Sequence, residues 1–461
     1  MALLRVREGI RMSRRSLAVL RSVVLALCVV LTFASVVFLF TMPAQETVTP
    51  APLGTDAAET TAPSPEREIY FAPDPTPRVI PTTPAQRLPL RFDSWDQASR
   101  VLQDGNYETL YSFLPNSEIT VSAGEPIGAL YVIFGSYPGR WQLFDGLNIY
   151  QYGNHDFLHE YVELENPSET VTLRLQAMDT SLCELYAYSV GTVPDEVQDW
   201  QAPDEYADIL IFVTHADDEL LFMGGMIPYY AAVRGLRVQV VYMTTNYQEG
   251  DFPRYAPEFR FRPHEALNGL WRAGDRVYPI TNMVQDYACD SIWDAQDRYG
   301  SDQFFEFQTE MIRRFKPLVV VTQDERGEYG HGAHILTALS VERAVEAAAD
   351  PAQFPDSAAL YGVWDTPKTY LHKYSKAGDL TILNYEEPAD ALGGMTPFET
   401  AQEAYRLHKS QQQYRELFVY GVGHPSDSHR YGLFRSLVGP DEEKNDLMEH
   451  VSRTDFPANE R

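Results

Sequence analysis

Two short stretches of this 461-residue chain gather residue types that bind metal ions and move protons. The first reads Thr214-His215-Ala216-Asp217-Asp218-Glu219, with one imidazole and three carboxylates. The second reads Glu325-Arg326-Gly327-Glu328-Tyr329-Gly330-His331-Gly332-Ala333-His334, with two imidazoles three residues apart among glycines. Borderline divalent ions such as zinc favour His nitrogen together with carboxylate oxygen. Catalytic zinc sites use three protein ligands and keep one position for water. Two loops of a parallel sheet can supply that set.

The elements around both stretches fit such a sheet. ADILIFVTH (207–215) is an apolar run ending in a polar turn. A helical stretch, ELLFMGGMIPYYAAVRG, and a second apolar run, RVQVVYMTT (237–245), follow it. Strand, helix, strand makes parallel neighbours through a right-handed crossover. Downstream, QFFEFQTEMIRRF reads as an amphipathic helix, KPLVVVTQDE (316–325) as a buried strand and HILTALSVERAVEAAA (334–349) as a helix. This alternation predicts a doubly wound, mostly parallel α/β sheet over 201–440. Ligands of such sheets sit beyond the C-terminal strand ends. That rule selects the turn after Val213 and the loop after Thr322, where both stretches fall.

THADDE resembles the AHPDDE motif of the LmbE/PIG-L N-deacetylases, and GEYGHGAH resembles their second motif, commonly YGHPDH. Order and spacing also agree. The resemblance implies an LmbE-like fold and a zinc ion on His215, Asp218 and His334. It implies Asp217 as general base, with His331 and Tyr329 assisting at the developing oxyanion. Arg262 and Glu265 resemble the family's R-x-x-E helix, which makes Arg262 a substrate-binding candidate. His408-Lys409-Ser410-Gln411 resembles the C-terminal H-[RK]-S-Q. The implied activity is hydrolysis of an N-acetyl group on an amino sugar or glycan. Hydrolysis of another amide at the same metal, or a non-catalytic glycan-binding role, are the alternatives. The sequence departs from the family in three places. Ala216 replaces Pro, Ala333 replaces the Asp that orients the assisting His, and Thr245-Asn246-Tyr247 stands where T-x-G is usual. Glu219 is expected to favour the positive end of the following helix.

The rest of the chain reads differently. Residues 91–200 are strand-rich, with runs such as ALYVIFG, HEYVELE, ETVTLRLQAM and ELYAYSVG between turns, and suggest a β-sandwich-like domain. Residues 43–90 are rich in Pro, Thr and Ala and suggest an extended linker. Ser22 to Met42 is a run of 21 uncharged residues flanked on one side by arginines. That length predicts a transmembrane anchor, with 1–42 as basic tail plus anchor and the remainder extracytoplasmic. A cleaved signal, giving a secreted protein, is the alternative. Residues 441–461 are expected to form a C-terminal tail.

Net charge is −28, and the first 42 residues hold six arginines against one acid, so the body is more acidic still. Such a surface repels phosphate backbones and argues against nucleic acid as partner. The three cysteines have no metal-site or disulfide spacing, and Cys183 and Cys289 are expected free.

Overall fold

The computed structural model describes residues 70–71 and 82–458, apart from 93–95, 115, 177–179, 245–261, 283, 375 and 377. Residues 67–461 form one compact unit. Its first part is a nine-stranded sheet. Two long strands carry it, β5 (Ser117–Phe134) and β8 (His159–Leu175). They pair antiparallel along both ends, Ser117–Ser122 with Thr170–Leu175 and Ala129–Ile133 with His159–Glu163. The register shifts between, around Gly124-Glu125-Pro126. Shorter strands extend each end. β6 (Trp141–Phe144) joins the C-terminal end of β8, and β7 (Ile149–Tyr152) and β1 (Tyr70–Phe71) follow it. β9 (Ser181–Tyr188) joins the other end of β5, with β2 (Arg87–Leu88) beyond. β3 (Arg91–Phe92) and β4 (Tyr111–Ser112) pair with β5 and β9. Strands β1 and β2 thus fall in the segment the sequence suggested as linker.

Burial along β5 explains its composition. Ile119, Val121 and Ala123 are buried and alternate with more exposed neighbours, as in a strand with one wet face. Residues 127–134 are buried on both faces, and a second body lies beside this end of the sheet, where His159 meets His264. That body is a seven-stranded sheet in the order β12-β11-β10-β13-β14-β16-β15. β10 (Ile209–Val213), β11 (Val238–Tyr242), β12 (Ile280–Thr281), β13 (Val319–Thr322) and β14 (Lys368–His372) run parallel. β16 (Arg430–Ser436) and β15 (Thr381–Ile382) close one edge antiparallel. The sheet is therefore mostly parallel, as expected. The chain leaves β10 toward β11 and β12, then crosses back to β13 on the other side. The switch point lies between β10 and β13, where a crevice opens.

The helices in chain order are α1 (Asp96–Val101), α2 (Asp218–Leu221), α3 (Arg262–Ala273), α4 (Ile292–Tyr299), α5 (Gln303–Phe315), α6 (Gly332–Ala347), α7 (Pro355–Tyr361) and α8 (Pro397–Tyr405). Helix α3 joins the two sheets. Phe157 stacks on Tyr278 at 4.4 Å between centroids, the Leu158 amide donates to the Tyr278 hydroxyl, and Trp200 meets Trp271 edge-on. His159 Nε2 lies 2.8 Å from Nδ1 of His264, on α3.

One expectation is overturned. Among the described residues no helix is long and apolar enough to cross a membrane. The longest described helix, α6 with 16 residues, spans about 24 Å at about 1.5 Å per residue, short of the ~30 Å hydrocarbon core. Residues 22–42 lie outside the described residues. The membrane partner and the cell-membrane, extracytoplasmic localisation expected from them are withdrawn.

Candidate metal centre

Both motifs sit at C-terminal strand ends and face each other across the switch point. Thr214, the first residue after β10, fixes their spacing. Its amide and hydroxyl both donate to Gln323 Oε1, at 3.1 and 2.5 Å, and its hydroxyl meets that of Thr337 on α6 at 2.7 Å. The α6 N-terminus is locked from the other side. The Gly332 amide donates to Cys289 O, and a Cβ at Gly332 would lie 2.0 Å from Ser291 O, so only glycine fits.

Four of the expected residues converge there. His215 Nδ1 lies 3.0 Å from His334 Nε2, and Asp218 Oδ2 lies 3.3 Å from each of those nitrogens. Ligands held tetrahedrally at roughly 2.0–2.1 Å from zinc are about 3.3–3.4 Å apart. His331 also brings a ring nitrogen within 4.8 Å of the other two imidazoles, so a three-histidine grouping overlaps the expected set. The His215–Asp218–His334 set is the tighter of the two, and both are donor sets that catalytic zinc sites use. His331 is its outer neighbour.

The ring tautomers follow from the outer partners. His215 Nε2 faces Asp286 Oδ1 at 3.2 Å, and His334 Nδ1 faces Glu328 Oε2 at 3.0 Å. Each outer nitrogen donates to its carboxylate, so the inner nitrogens present lone pairs to Asp218 and to each other. Three acceptors at this spacing call for a cation between them, which is the fit a divalent metal requires. Without an ion, a proton on His215 takes the place of that cation. Burial lowers its pKa, yet Asp286 and Asp218 outweigh burial and raise it to about 10. Asp218 is also buried, but His334 and His215 hold its carboxyl below the usual range.

Asp217 sits between this cluster and solvent. Its backbone takes φ +123°, a strained value for a residue with a side chain. The conformation is held from several sides. Its amide donates to Glu219 Oε2 at 2.8 Å, and Glu219 Oε1 lies 3.2 Å from the buried His408 Nε2. Arg262 donates to Ala216 O at 2.6 Å and approaches Asp217 Oδ1 at 3.5 Å. Burial pushes the Asp217 carboxyl up to about 7, against the pull of Arg262. Glu219 lies in the first turn of α2, the helix-end position expected from the sequence, and there its carboxylate also orders the motif through the Asp217 amide. The family-like H-K-S-Q segment closes the back, where Ser410 donates to Glu265 through its amide and hydroxyl, at 2.8 and 2.6 Å.

A cavity of about 250 Å³ opens onto the cluster, lined among others by His215, Asp217, Asp218, Arg262, Asp286 and His331, with Tyr329 and Tyr414 among the aromatic residues. Tyr329 is largely exposed there, with its ring 5.5 Å from that of His334 between centroids. His331 Nδ1 is buried without a hydrogen-bond partner. Burial, with His215 and His334 adding to it, holds His331 well below its ordinary pKa. Ala333, which replaces the family Asp, is fully buried in the apolar cluster with Cys289 and Val341. Residues 245–247, where T-x-G is usual, lie outside the described residues.

Two carboxylates at the centre were not assigned from sequence. Asp286 lies just beyond β12, and the strand-end rule would have reached it had that two-residue strand been legible. Glu328 sits inside the second motif, and no pattern signals that its side chain turns inward.

The family described as PIG-L, GlcNAc-PI de-N-acetylase, matches residues 210–345. A 1D-myo-inositol 2-acetamido-2-deoxy-α-D-glucopyranoside deacetylase of Geodermatophilus obscurus is 31% identical over 219 residues, 42% of this chain and 70% of the relative. One of the same description from Catenulispora acidiphila is 30% identical, over 37% of this chain and 56% of the relative. The chain thus spans about seven-tenths of the first relative's length and little more than half of the second's. The solved N,N'-diacetylchitobiose deacetylase of Pyrococcus horikoshii is 19% identical, with a TM-score of 0.35, over 44% of this chain and 71% of that one. With both motifs at facing strand ends and a relative of that identity and coverage, the chain belongs to the PIG-L (LmbE-like) deacetylase family.

Proposed function

We propose that this chain is a zinc-dependent N-deacetylase that hydrolyses the N-acetyl group of an amino sugar. The observation that carries the reading is the convergence of His215 Nδ1, Asp218 Oδ2 and His334 Nε2 at 3.0–3.3 Å beside the buried Asp217. A zinc ion held by those atoms supplies a Lewis acid and lowers the pKa of water from about 16 toward 7. Asp217 accepts the proton of the attacking water on its carboxylate. Arg262 and the Glu219 contact to the Asp217 amide keep that carboxylate aimed into the cavity. His331 and Tyr329, on the facing wall, donate to the oxygen that gains charge as water adds to the amide carbon. Asp217 then returns a proton to the departing amine. Arg262 is already engaged with Ala216 O and Asp217, so it orients the base as well as lining the substrate cavity.

The names of the relatives support the acetamido sugar as substrate class. In the β-rich part, the register break in β5 and β8 supports reading the nine-stranded sheet as folded into two layers. The test of the activity is acetate release. Zinc-loaded protein is expected to free acetate from N-acetylglucosaminides, and stripped protein is not. Full zinc occupancy with no acetate from any acetamido sugar, but turnover of another N-acyl compound, would move the reading to a different amidohydrolase.

A further inference from the structure

Resting on the reading above, we infer that Glu328 is a positioning residue that sets the ring of His334 for metal, using His372 on β14 as its brace. The Glu328 side chain is wholly enclosed, and its carboxylate meets two imidazoles. Oε2 lies 3.0 Å from His334 Nδ1, and Oε1 lies 3.2 Å from His372 Nδ1. Oε1 also accepts the Asp324 amide at 2.8 Å. His372 is held on its far side, where Nε2 lies 3.0 Å from Asp427 O. Phe222 packs against both rings, at 5.8 Å from His334 and 6.2 Å from His372 between centroids. Neither imidazole can turn without breaking a contact to the one carboxylate they share.

The backbone shows that this placement is imposed. Glu328 has φ +55°, the left-handed region that costs any residue with a side chain, between Gly327 at +69° and Gly330 at +96°. Glycine would meet the same turn without strain. A glutamate there turns its side chain inward to a buried position that needs an ionised acceptor. An imidazole ligand whose outer nitrogen is tied to a carboxylate is fixed in tautomer and made more basic. His334 has such a tie in Glu328, and His215 has its own in Asp286. Glu328 differs from Asp286 in reaching a third strand. It couples the loop after β13, and hence the metal ligand, to the end of β14.

The test measures zinc affinity by competition with a chelator, beside the imidazole tautomers read from long-range ¹H–¹⁵N spectra of the zinc-free protein. Glu328→Gln and Glu328→Ala are compared with Glu325→Gln, whose side chain pairs with Lys376 on the surface of the same loop. Wild type is expected to bind one zinc, with His334 as the Nδ1–H tautomer. Glu328→Ala should weaken zinc by about 10- to 100-fold and release His334 into mixed tautomers, with Glu328→Gln intermediate. Glu325→Gln should leave both readouts at wild type. His372→Gln should loosen zinc less than Glu328→Ala. Unchanged zinc affinity and tautomer in folded Glu328→Ala would overturn the inference. If wild type binds no zinc, or His334→Ala binds it unchanged, the metal reading itself fails.

Discussion

Two pairs of buried histidines in this molecule meet opposite fates. His215 and His334 sit 3.0 Å apart at the strand ends, and His159 and His264 sit 2.8 Å apart between the two sheets. Burial penalises a charged imidazole in both places. The difference lies in what surrounds them. Around the first pair stand Asp218, Asp286 and Glu328, and His215 is raised to about 10. Around the second stand the Tyr131 hydroxyl, 2.7 Å from His159, with the Tyr107 ring and the Cys183 thiol against His264. There burial governs, and His264 is lowered to about 4. The first pair is built to hold positive charge, and the second to stay neutral as part of a seam.

The largest effect that bears on this contrast is catalytic. Asp217 is the carboxylate nearest solvent in the acid-rich cluster. Asp217→Asn should lower kcat by about 10²- to 10⁴-fold, the usual contribution of a general base, and leave zinc binding in place. Steady-state acetate release with zinc content measured on the same sample checks it. A variant that loses zinc as well would mean that Asp217 belongs to the ligand set.

The next effect is on stability. Zinc at 100 times its Kd should stabilise the native state by about 2.7 kcal/mol. The gain should vanish in His334→Ala and persist in His159→Gln. Thermal unfolding with and without zinc separates the two. Equal stabilisation of all three proteins would mean that the ion binds elsewhere.

The acid-rich cluster was legible in the sequence because each half follows a continuous apolar strand, ILIFV and VVVT, and a run of charge after a buried strand stands out. The same pattern placed His215, Asp217, Asp218, His331 and His334 at one end of the parallel sheet. Asp286 escaped because β12 is only Ile280–Thr281, too short to mark a strand end. Glu328 escaped because the backbone turn at φ +55° sets its direction, and composition does not encode that turn. His408 stood out only through the family-like H-K-S-Q segment, and nothing in that segment shows that it is fully buried against Glu219. The histidine seam was invisible for a different reason. His159 lies in a strand and His264 in a helix 105 residues later, with no spacing to connect them. Long-range packing makes that pair, and periodicity within either element reports only that each faces inward.

The smallest effect tests the neutral half of the comparison. His264 has a folded pKa of about 4 against an ordinary 6.5, and His159 is also lowered, by burial and by His264. Between those values the unfolded chain takes up protons that the native state refuses. Stability contributed by the seam is therefore present above about pH 6.5 and lost as pH falls toward 4. Each histidine contributes at most about 1.4 kcal/mol per pH unit across that window. Buried carboxyls work in the other direction. Burial raises Glu160, Glu184 and Asp275 to about 7, so the native state holds their protons where the unfolded chain releases them. A raw pH profile mixes both, and the informative quantity is the difference between wild type and His264→Gln. Glutamine can neither charge nor add a carboxylate, so the carboxyl contributions cancel in that difference. Urea unfolding at pH 7, 6 and 5 should show wild type losing ground to the variant at each step. Parallel profiles would mean that His264 titrates in the folded protein as it does in the unfolded chain, and wild type gaining on the variant would mean that the seam already carries a proton at neutral pH; either result removes the difference in charge between the two histidine pairs.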